Sequence, residues 1–156
     1  MAQIAVPCLW IQSDAASAIR FYTALVPDSE IYSLSEIPDP SGNSTVISEF
    51  RLGGVHYRAI GGASSFALNE SFSISITCAT QEEVDRYWDA LTDGGVPGQC
   101  GWLVDRWGLS WQIVPKQLFE LMSDANPARA NAARQAMFGM SRLVIAELEA
   151  AANLAG

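Results

Sequence analysis

The residues with the clearest chemical potential lie together in the stretch CGWLVDRWGLSWQIVP, residues 100–115. This stretch holds three of the chain's five tryptophans, and Gln112 lies among them. An indole ring offers a large apolar face and one N–H donor, while an amide both donates and accepts hydrogen bonds. Such a set can line a site for a small organic molecule, or it can close the core of a strand pair.

The strand LSWQIV separates these two roles by its alternation. A period of two places Ser110 and Gln112 on one face and Trp111 on the other. If Gln112 faces a ligand, Trp111 belongs to the core. We expect Trp107 to cap the turn of this hairpin. For Trp102 both roles remain open.

Composition bounds the function class. The chain has 156 residues, 49% of them apolar, which is enough to bury a core as one domain or as two tightly packed halves. A net charge of −8 and scattered basic residues argue against nucleic-acid binding. No apolar run approaches membrane-spanning length, and the start does not resemble a signal peptide. Three cysteines without CxxC spacing predict reduced thiols in a cytoplasmic protein.

The first half of the chain has the element order βαβββ. Ser13 or Asp14 is the expected helix cap, Pro27 ends the helix, and Gly53-Gly54 marks a hairpin. The expected elements are a strand at 4–11, a helix between Asp14 and Pro27, and strands at 29–37, 44–52 and 55–62.

The second half repeats this order. Thr80 and Glu83 form a capping box before the helical stripe Val84, Tyr87, Trp88 and Leu91. The flanking strands are expected at 72–78, 98–105 and 109–115, and the tail is helical, with Asn126 as a cap and Pro127 after it.

These patterns predict an α+β fold. Two βαβββ modules, at about 1–62 and 70–115, form a cupped mixed sheet as one domain over 1–115. A C-terminal helical extension covers 116–156 and packs on the sheets or on a second subunit.

Several stretches carry a resemblance to a known family. They are PCLWI, AIRFYTALVPDSEI, TQEEVDRYWDAL, GQCGWLVDRWGLSWQIVP and the tail DANPARANAARQAMFGM. Together with the element order, they resemble the PhnB-like branch of the vicinal oxygen chelate superfamily, which includes glyoxalase I, extradiol dioxygenases and bleomycin- or fosfomycin-resistance proteins. The resemblance implies the glyoxalase fold and a homodimer.

Many members of that branch carry the label 3-demethylubiquinone-9 3-methyltransferase. Binding S-adenosylmethionine in the usual fold needs a glycine-rich turn between a strand and a helix. The Gly-Gly pairs at 53–54, 61–62 and 94–95 lie in hairpins or follow a helix. The sequence therefore does not support methyl transfer.

The superfamily also implies a divalent metal with histidine and carboxylate ligands. The family's ligand positions fall on Pro7 with Cys8 and Leu9, on Ala59-Ile60, on Glu70 or Ser71, and on Gln112. The chain's one histidine, His56, lies at the start of its strand, where a hydrogen-bonded role is expected. We therefore predict no metal and no cofactor.

The sequence thus predicts a protein that binds a small organic molecule, with catalysis left open. Trp10 lines the site or packs in the core, and Arg58 contacts the ligand or lies on the surface. The candidate ligand-binding residues are Trp10, Arg58, Glu70, Ser73, Trp102 and Gln112. Two alternatives are a metal-dependent lyase, isomerase or dioxygenase that uses Gln112 and Glu70, and a drug-sequestering resistance protein.

Overall fold

The computed structural model describes residues 5–38, 40 and 42–156. Contacts divide the chain into two compact units, of which the first ends at Asn69 and the second runs from Glu70 to Gly156. The helical tail therefore belongs to the second unit. A single domain over 1–115 with a separate extension stays a prediction.

The first unit has the predicted βαβββ order. Its sheet has the strand order β1-β4-β3-β2, in which β1 and β4 are parallel and the other neighbours antiparallel. Ile4, at the start of the predicted first strand, lies outside the described residues. The elements are β1 (Cys8–Ile11), α1 (Ala15–Leu25), β2 (Glu30–Pro38), β3 (Ser44–Leu52) and β4 (Val55–Gly61).

One face of this sheet packs on α1. Every second residue of β3 and β4 is buried, as expected of a sheet with one covered face. A side chain at Gly61 would collide with the Cβ atom of Ala15, so the close approach of the helix start requires glycine there. The opposite, open face carries Trp10, Ile47 and Arg58.

The predicted cap of α1 is wrong. Asp14 precedes the helix, but its backbone is left-handed, with φ 51°, and its side chain makes no capping hydrogen bond. An N-cap side chain reaches the free helical N–H groups from an extended backbone, which Asp14 does not have. The start of α1 is therefore set by packing.

The second unit repeats the βαβββ order and adds three helices, which confirms the α+β class. Its sheet has the order β5-β8-β7-β6, with β5 and β8 parallel. The elements are β5 (Ser73–Cys78), α2 (Gln81–Thr92), β6 (Val96–Pro97), β7 (Trp102–Val104), β8 (Ser110–Pro115), α3 (Lys116–Met122), α4 (Pro127–Phe138) and α5 (Ile145–Leu154).

Both predicted helix caps of this unit are confirmed. The Oγ1 atom of Thr80 accepts a hydrogen bond from the Glu83 N–H at 3.2 Å, and the Glu83 carboxylate accepts one from the Ala79 N–H at 2.6 Å. The Asn126 side chain accepts a hydrogen bond from the Ala128 N–H at 3.0 Å. The predicted stripe of α2 is buried at Val84, Tyr87, Trp88 and Leu91.

The helical tail packs on the sheet of its own unit. Met140, Leu143 and Leu148 form a buried cluster with Val114 and Leu118. The tail also holds the loop before β7, because the N–H groups of Cys100 and Gly101 donate to carbonyls at positions 140 and 141, each at 2.8 Å. In the described part of the chain, no helix is long and apolar enough to cross a membrane.

A buried carboxylate organises the β7–β8 hairpin. Asp105 is 4% exposed, and its Oδ2 atom accepts a hydrogen bond from the Trp111 indole N–H at 2.8 Å. Its Oδ1 atom accepts hydrogen bonds from the backbone N–H groups of Trp107 and Leu109, at 2.9 and 3.1 Å. One side chain thus satisfies three donors in a turn that is otherwise largely apolar.

We expect Asp105→Ala to lower the free energy of unfolding by roughly 3–5 kcal/mol, because three donors lose a charged acceptor. Urea unfolding followed by far-ultraviolet circular dichroism measures the change. Asp93→Ala is the matched control, since the Asp93 side chain is 79% exposed and pairs with Arg106 at the surface. That control should cost less than about 1 kcal/mol. Equal losses in the two variants would contradict the role given to Asp105.

Candidate functional site

The open face of the second sheet is set by the alternation of β8. Trp111 and Ile113 are fully buried, which confirms that Trp111 belongs to the core. Ser110 and Gln112 lie on the other face. Strand pairing places Gln112 opposite Trp102 on β7 and opposite Ser75 on β5.

The polar groups on this face are already organised. The Gln112 amide N–H donates to the Ser73 hydroxyl at 2.9 Å, so two predicted site residues contact each other directly. Gln112 is half-buried. A paired amide of this kind can orient a ligand but carries no charge.

A cavity of about 200 Å³ opens on the same side of the unit. Its walls are largely apolar, and two predicted site residues, Glu70 and Trp102, lie among them. The lining residues are Glu70, Val96, Pro97, Gly98, Trp102, Leu103, Val104 and Ser110. Cavities with apolar walls and a few polar groups are typical of small-molecule sites.

Ser110 is the polar residue deepest in this cavity wall. It is 1% exposed, and its hydroxyl makes no hydrogen bond to any of the described residues. A buried hydroxyl without a partner costs about 1–3 kcal/mol, so it is rare unless a ligand or water satisfies it. Sequence reasoning placed Ser110 beside Gln112 by alternation but did not select it as a site residue.

The two remaining predicted residues belong to the first unit. The Trp10 indole N–H donates to the Gly62 carbonyl at 3.1 Å, and its ring meets Phe66 edge-on with 5.3 Å between centroids. The Arg58 guanidinium donates to the Glu49 carboxylate at 2.7 Å and is 57% exposed. Both side chains lie on the open face of the first sheet. For all six residues, ligand binding stays a prediction.

His56 does not make the hydrogen bond expected of it at Nε2. Among the described residues this nitrogen has no hydrogen-bond partner, and the nearest carboxylate oxygen, on Glu49, is 3.9 Å away. The imidazole instead meets the Tyr32 ring edge-on, with 5.3 Å between centroids. Its environment is that of a packed strand residue.

The donors at the superfamily's ligand positions do not fit a divalent metal. Ala59 has no donor side chain, and Gln112 offers one neutral amide oxygen, since its amide nitrogen donates to Ser73. Across the residues that the structure describes, no three His, Cys, Asp or Glu side chains lie close enough to hold a metal ion. A divalent cation needs several imidazole, thiolate or carboxylate donors, which these positions do not bring together.

The cysteines are three free thiols in different environments. Cys78 is fully buried, and burial raises its pKa to about 11, with a further contribution from the nearby Glu83 carboxylate. Cys8 is exposed. Because the thiolate is the reactive form, Cys78 is unsuited to nucleophilic catalysis near neutral pH.

Comparison with known proteins identifies the family. The family model described as 3-demethylubiquinone-9 3-methyltransferase matches residues 3–114. The chain belongs to this PhnB-like family. None of the curated proteins matches the chain.

Solved structures of similar chains confirm the fold of the PhnB-like chain. The PhnB protein of Bacillus cereus is 30% identical, covering 72% of this chain and 99% of that one, with a TM-score of 0.65. Protein PA1353 of Pseudomonas aeruginosa is 18% identical, and the match covers 73% of this chain and 98% of that one, with a TM-score of 0.59. The fosfomycin resistance protein FosX of Listeria monocytogenes, complexed with Mn(II) and sulfate, is 14% identical. The match covers 72% of this chain and 91% of that one, with a TM-score of 0.50.

The family's methyltransferase description finds no counterpart in this PhnB-like fold. Residues 12–14, Gln-Ser-Asp, join β1 to α1, and Ala79 and Thr80 join β5 to α2. Neither connection contains the glycine-rich turn between a strand and a helix that binding S-adenosylmethionine in the usual fold needs. The family match ends at residue 114, so the resemblance seen in the tail lies outside it.

Differential alkylation tests the environments of the thiols. At about pH 8 in the native protein, we expect iodoacetamide to modify Cys8 at least ~100-fold faster than Cys78, because burial excludes the reagent and suppresses the thiolate. Peptide mass spectrometry measures the rates, and urea-unfolded protein, in which the difference should vanish, is the control. Comparable native rates would disprove the burial of Cys78.

Proposed function

We propose that this PhnB-like protein binds a small organic molecule, without a metal, in the cavity on the open face of its second sheet. The observation that carries the proposal is the Ser110 hydroxyl, which is buried in the cavity wall and has no partner among the described residues. A ligand with a hydrogen-bonding group would satisfy it once the side chain rotates toward the cavity, and would offset the cost of its burial.

The residues around Ser110 also support ligand binding. Trp102, Val96 and Val104 supply apolar walls, and the indole offers a face for stacking. Gln112 and Ser73 provide oriented polar groups on the same sheet face. Apolar walls supply affinity and a few fixed polar groups supply orientation, as in most small-molecule sites.

The size of the cavity narrows the ligand. Its volume of about 200 Å³ lies below the roughly 300–1,000 Å³ of sites for drug-sized ligands. A metabolite-sized molecule therefore suits this cavity better than a large antibiotic.

A metal-dependent lyase, isomerase or dioxygenase makes the opposite predictions. If Glu70 and Gln112 held a metal, purified protein would contain it in stoichiometric amount, and Ni, Mn, Fe or Zn would raise the melting temperature. Gln112→Ala would then abolish that rise. Elemental analysis of protein purified without chelator decides between the two proposals.

The binding proposal is tested by a fragment screen with saturation-transfer NMR, using neutral and charged polar molecules in the presence of EDTA. For any molecule that binds, we expect Ser110→Ala to weaken binding about 5- to 10-fold, the effect of one hydrogen bond. Without ligand, the same variant should match or exceed the wild type in stability by up to about 1 kcal/mol, because a buried unpaired hydroxyl is removed.

Ser75→Ala is the matched control for this variant, since Ser75 is an exposed serine on the same sheet outside the cavity lining. It should change neither binding nor stability. If no fragment binds, or if binding requires a divalent metal, the proposed function is wrong.

We also propose a homodimer in the cytoplasm. Tyr32, Ile37 and Ile47 on the first sheet are each 49% exposed, and large exposed apolar side chains often mark an interface. The three free cysteines accord with a reducing compartment.

Sedimentation velocity tests the assembly. We expect a dimer that Ile47→Glu dissociates, because the substitution buries a charge in the interface. Leu154→Glu, at a side chain that is 90% exposed near the end of the chain, should leave the dimer intact. A wild-type monomer would refute the proposed assembly without affecting the cavity.

A further inference from the structure

The ionisable lining of the cavity carries charge of one sign, which is negative. Among the described residues that line it, Glu70 is the one ionisable group, and none is basic. Glu70 is exposed, whereas Ser110 is buried, so the carboxylate lies at the solvent end of the lining and the hydroxyl at the buried end. The whole chain adds the same sign, with a net charge of −8.

The basic residue of the β7–β8 turn, Arg106, does not offset this charge. The Arg106 guanidinium donates to the Asp93 carboxylate at 3.0 Å and lies 5.1 Å from the centre of the Trp107 ring. It is therefore engaged elsewhere, and it is not among the residues that line the cavity.

This arrangement favours an organic cation over an anion. A carboxylate attracts an ammonium group directly, and the face of an indole such as Trp102 attracts it through the ring quadrupole. An anion would have to lose its hydration beside a like charge and largely apolar walls. The cavity therefore selects for positive charge at its solvent end.

We propose that the ligand of the cavity is a small organic ammonium compound. Its cationic group lies between the Glu70 carboxylate and the Trp102 ring. A hydroxyl or carbonyl oxygen a few bonds away accepts a hydrogen bond from Ser110. This inference rests on the proposed function, since it names the class of molecule that the same cavity binds.

The test compares two probes of nearly the same shape. Choline carries a quaternary nitrogen where 3,3-dimethylbutan-1-ol carries a neutral carbon, and both end in a hydroxyl. We expect titration calorimetry on the full chain to give at least ~10-fold tighter binding of choline. In Glu70→Gln the preference should fall at least severalfold, while binding of the neutral alcohol stays unchanged.

Two further variants separate charge from shape. Ser110→Ala should weaken both probes by a similar factor, because both present a hydroxyl. Glu82→Gln removes an exposed carboxylate from the first turn of α2, outside the cavity, and should leave the preference intact. Since Glu70 is exposed, Glu70→Gln should fold with an unchanged melting temperature.

The outcomes distinguish the two proposals. Equal affinity for choline and the alcohol, an unaltered preference in Glu70→Gln, or tighter binding of sulfate would overturn the cationic ligand and leave the binding function standing. The cationic ligand is also overturned if neither probe binds while the fragments that do bind are neutral or anionic. Absence of any metal-independent ligand overturns both.

Discussion

The hydrogen bond between the Asp105 carboxylate and the Trp111 indole is the constraint on which the site depends. It allows the largest side chain of β8 to be fully buried without losing its N–H partner. Once Trp111 faces inward, the period of two obliges Ser110 and Gln112 to face outward. A slip of one residue would exchange the two faces of the strand. The bond that stabilises the hairpin therefore also determines which residues face the candidate site.

The buried polar groups of this hairpin differ in whether they have hydrogen-bond partners. Asp105 satisfies three donors at once, whereas Ser110, five residues later, leaves its buried hydroxyl without a partner among the described residues. Such unsatisfied groups are rare in proteins, and for Ser110 the proposed ligand is the explanation. Under the proposed binding function, stability and binding favour different residues at position 110, a common relation between a fold and its functional site.

Family membership and function separate clearly in this protein. The chain belongs to the PhnB-like family and has the fold of the vicinal oxygen chelate superfamily. Yet among the described residues, no glycine-rich turn opens a helix after a strand, and no three His, Cys, Asp or Glu side chains lie close enough to hold a metal ion. A shared scaffold fixes where a cavity forms, and the side chains that line it decide what it binds.

The sequence by itself determined the α+β class, the caps of α2 and α4, the inward face of Trp111, and the order of the elements except the two-residue strand β6. These follow from local rules, namely periodicity, turn residues and capping geometry, which act within a few positions of the chain. It also selected Gln112 and Trp102 as candidate site residues, and strand pairing places them opposite each other.

Only the tertiary structure decided the rest. The left-handed backbone at Asp14, the three bonds of Asp105 and the unpartnered hydroxyl of Ser110 depend on groups that come together through packing. The sequence does not distinguish a strand serine whose hydroxyl is exposed to solvent from one whose hydroxyl is hydrogen-bonded, or is buried without a partner. That difference arises when β7, β8 and the segment around Glu70 enclose a shared space, because burial is a property of the surroundings and not of the residue.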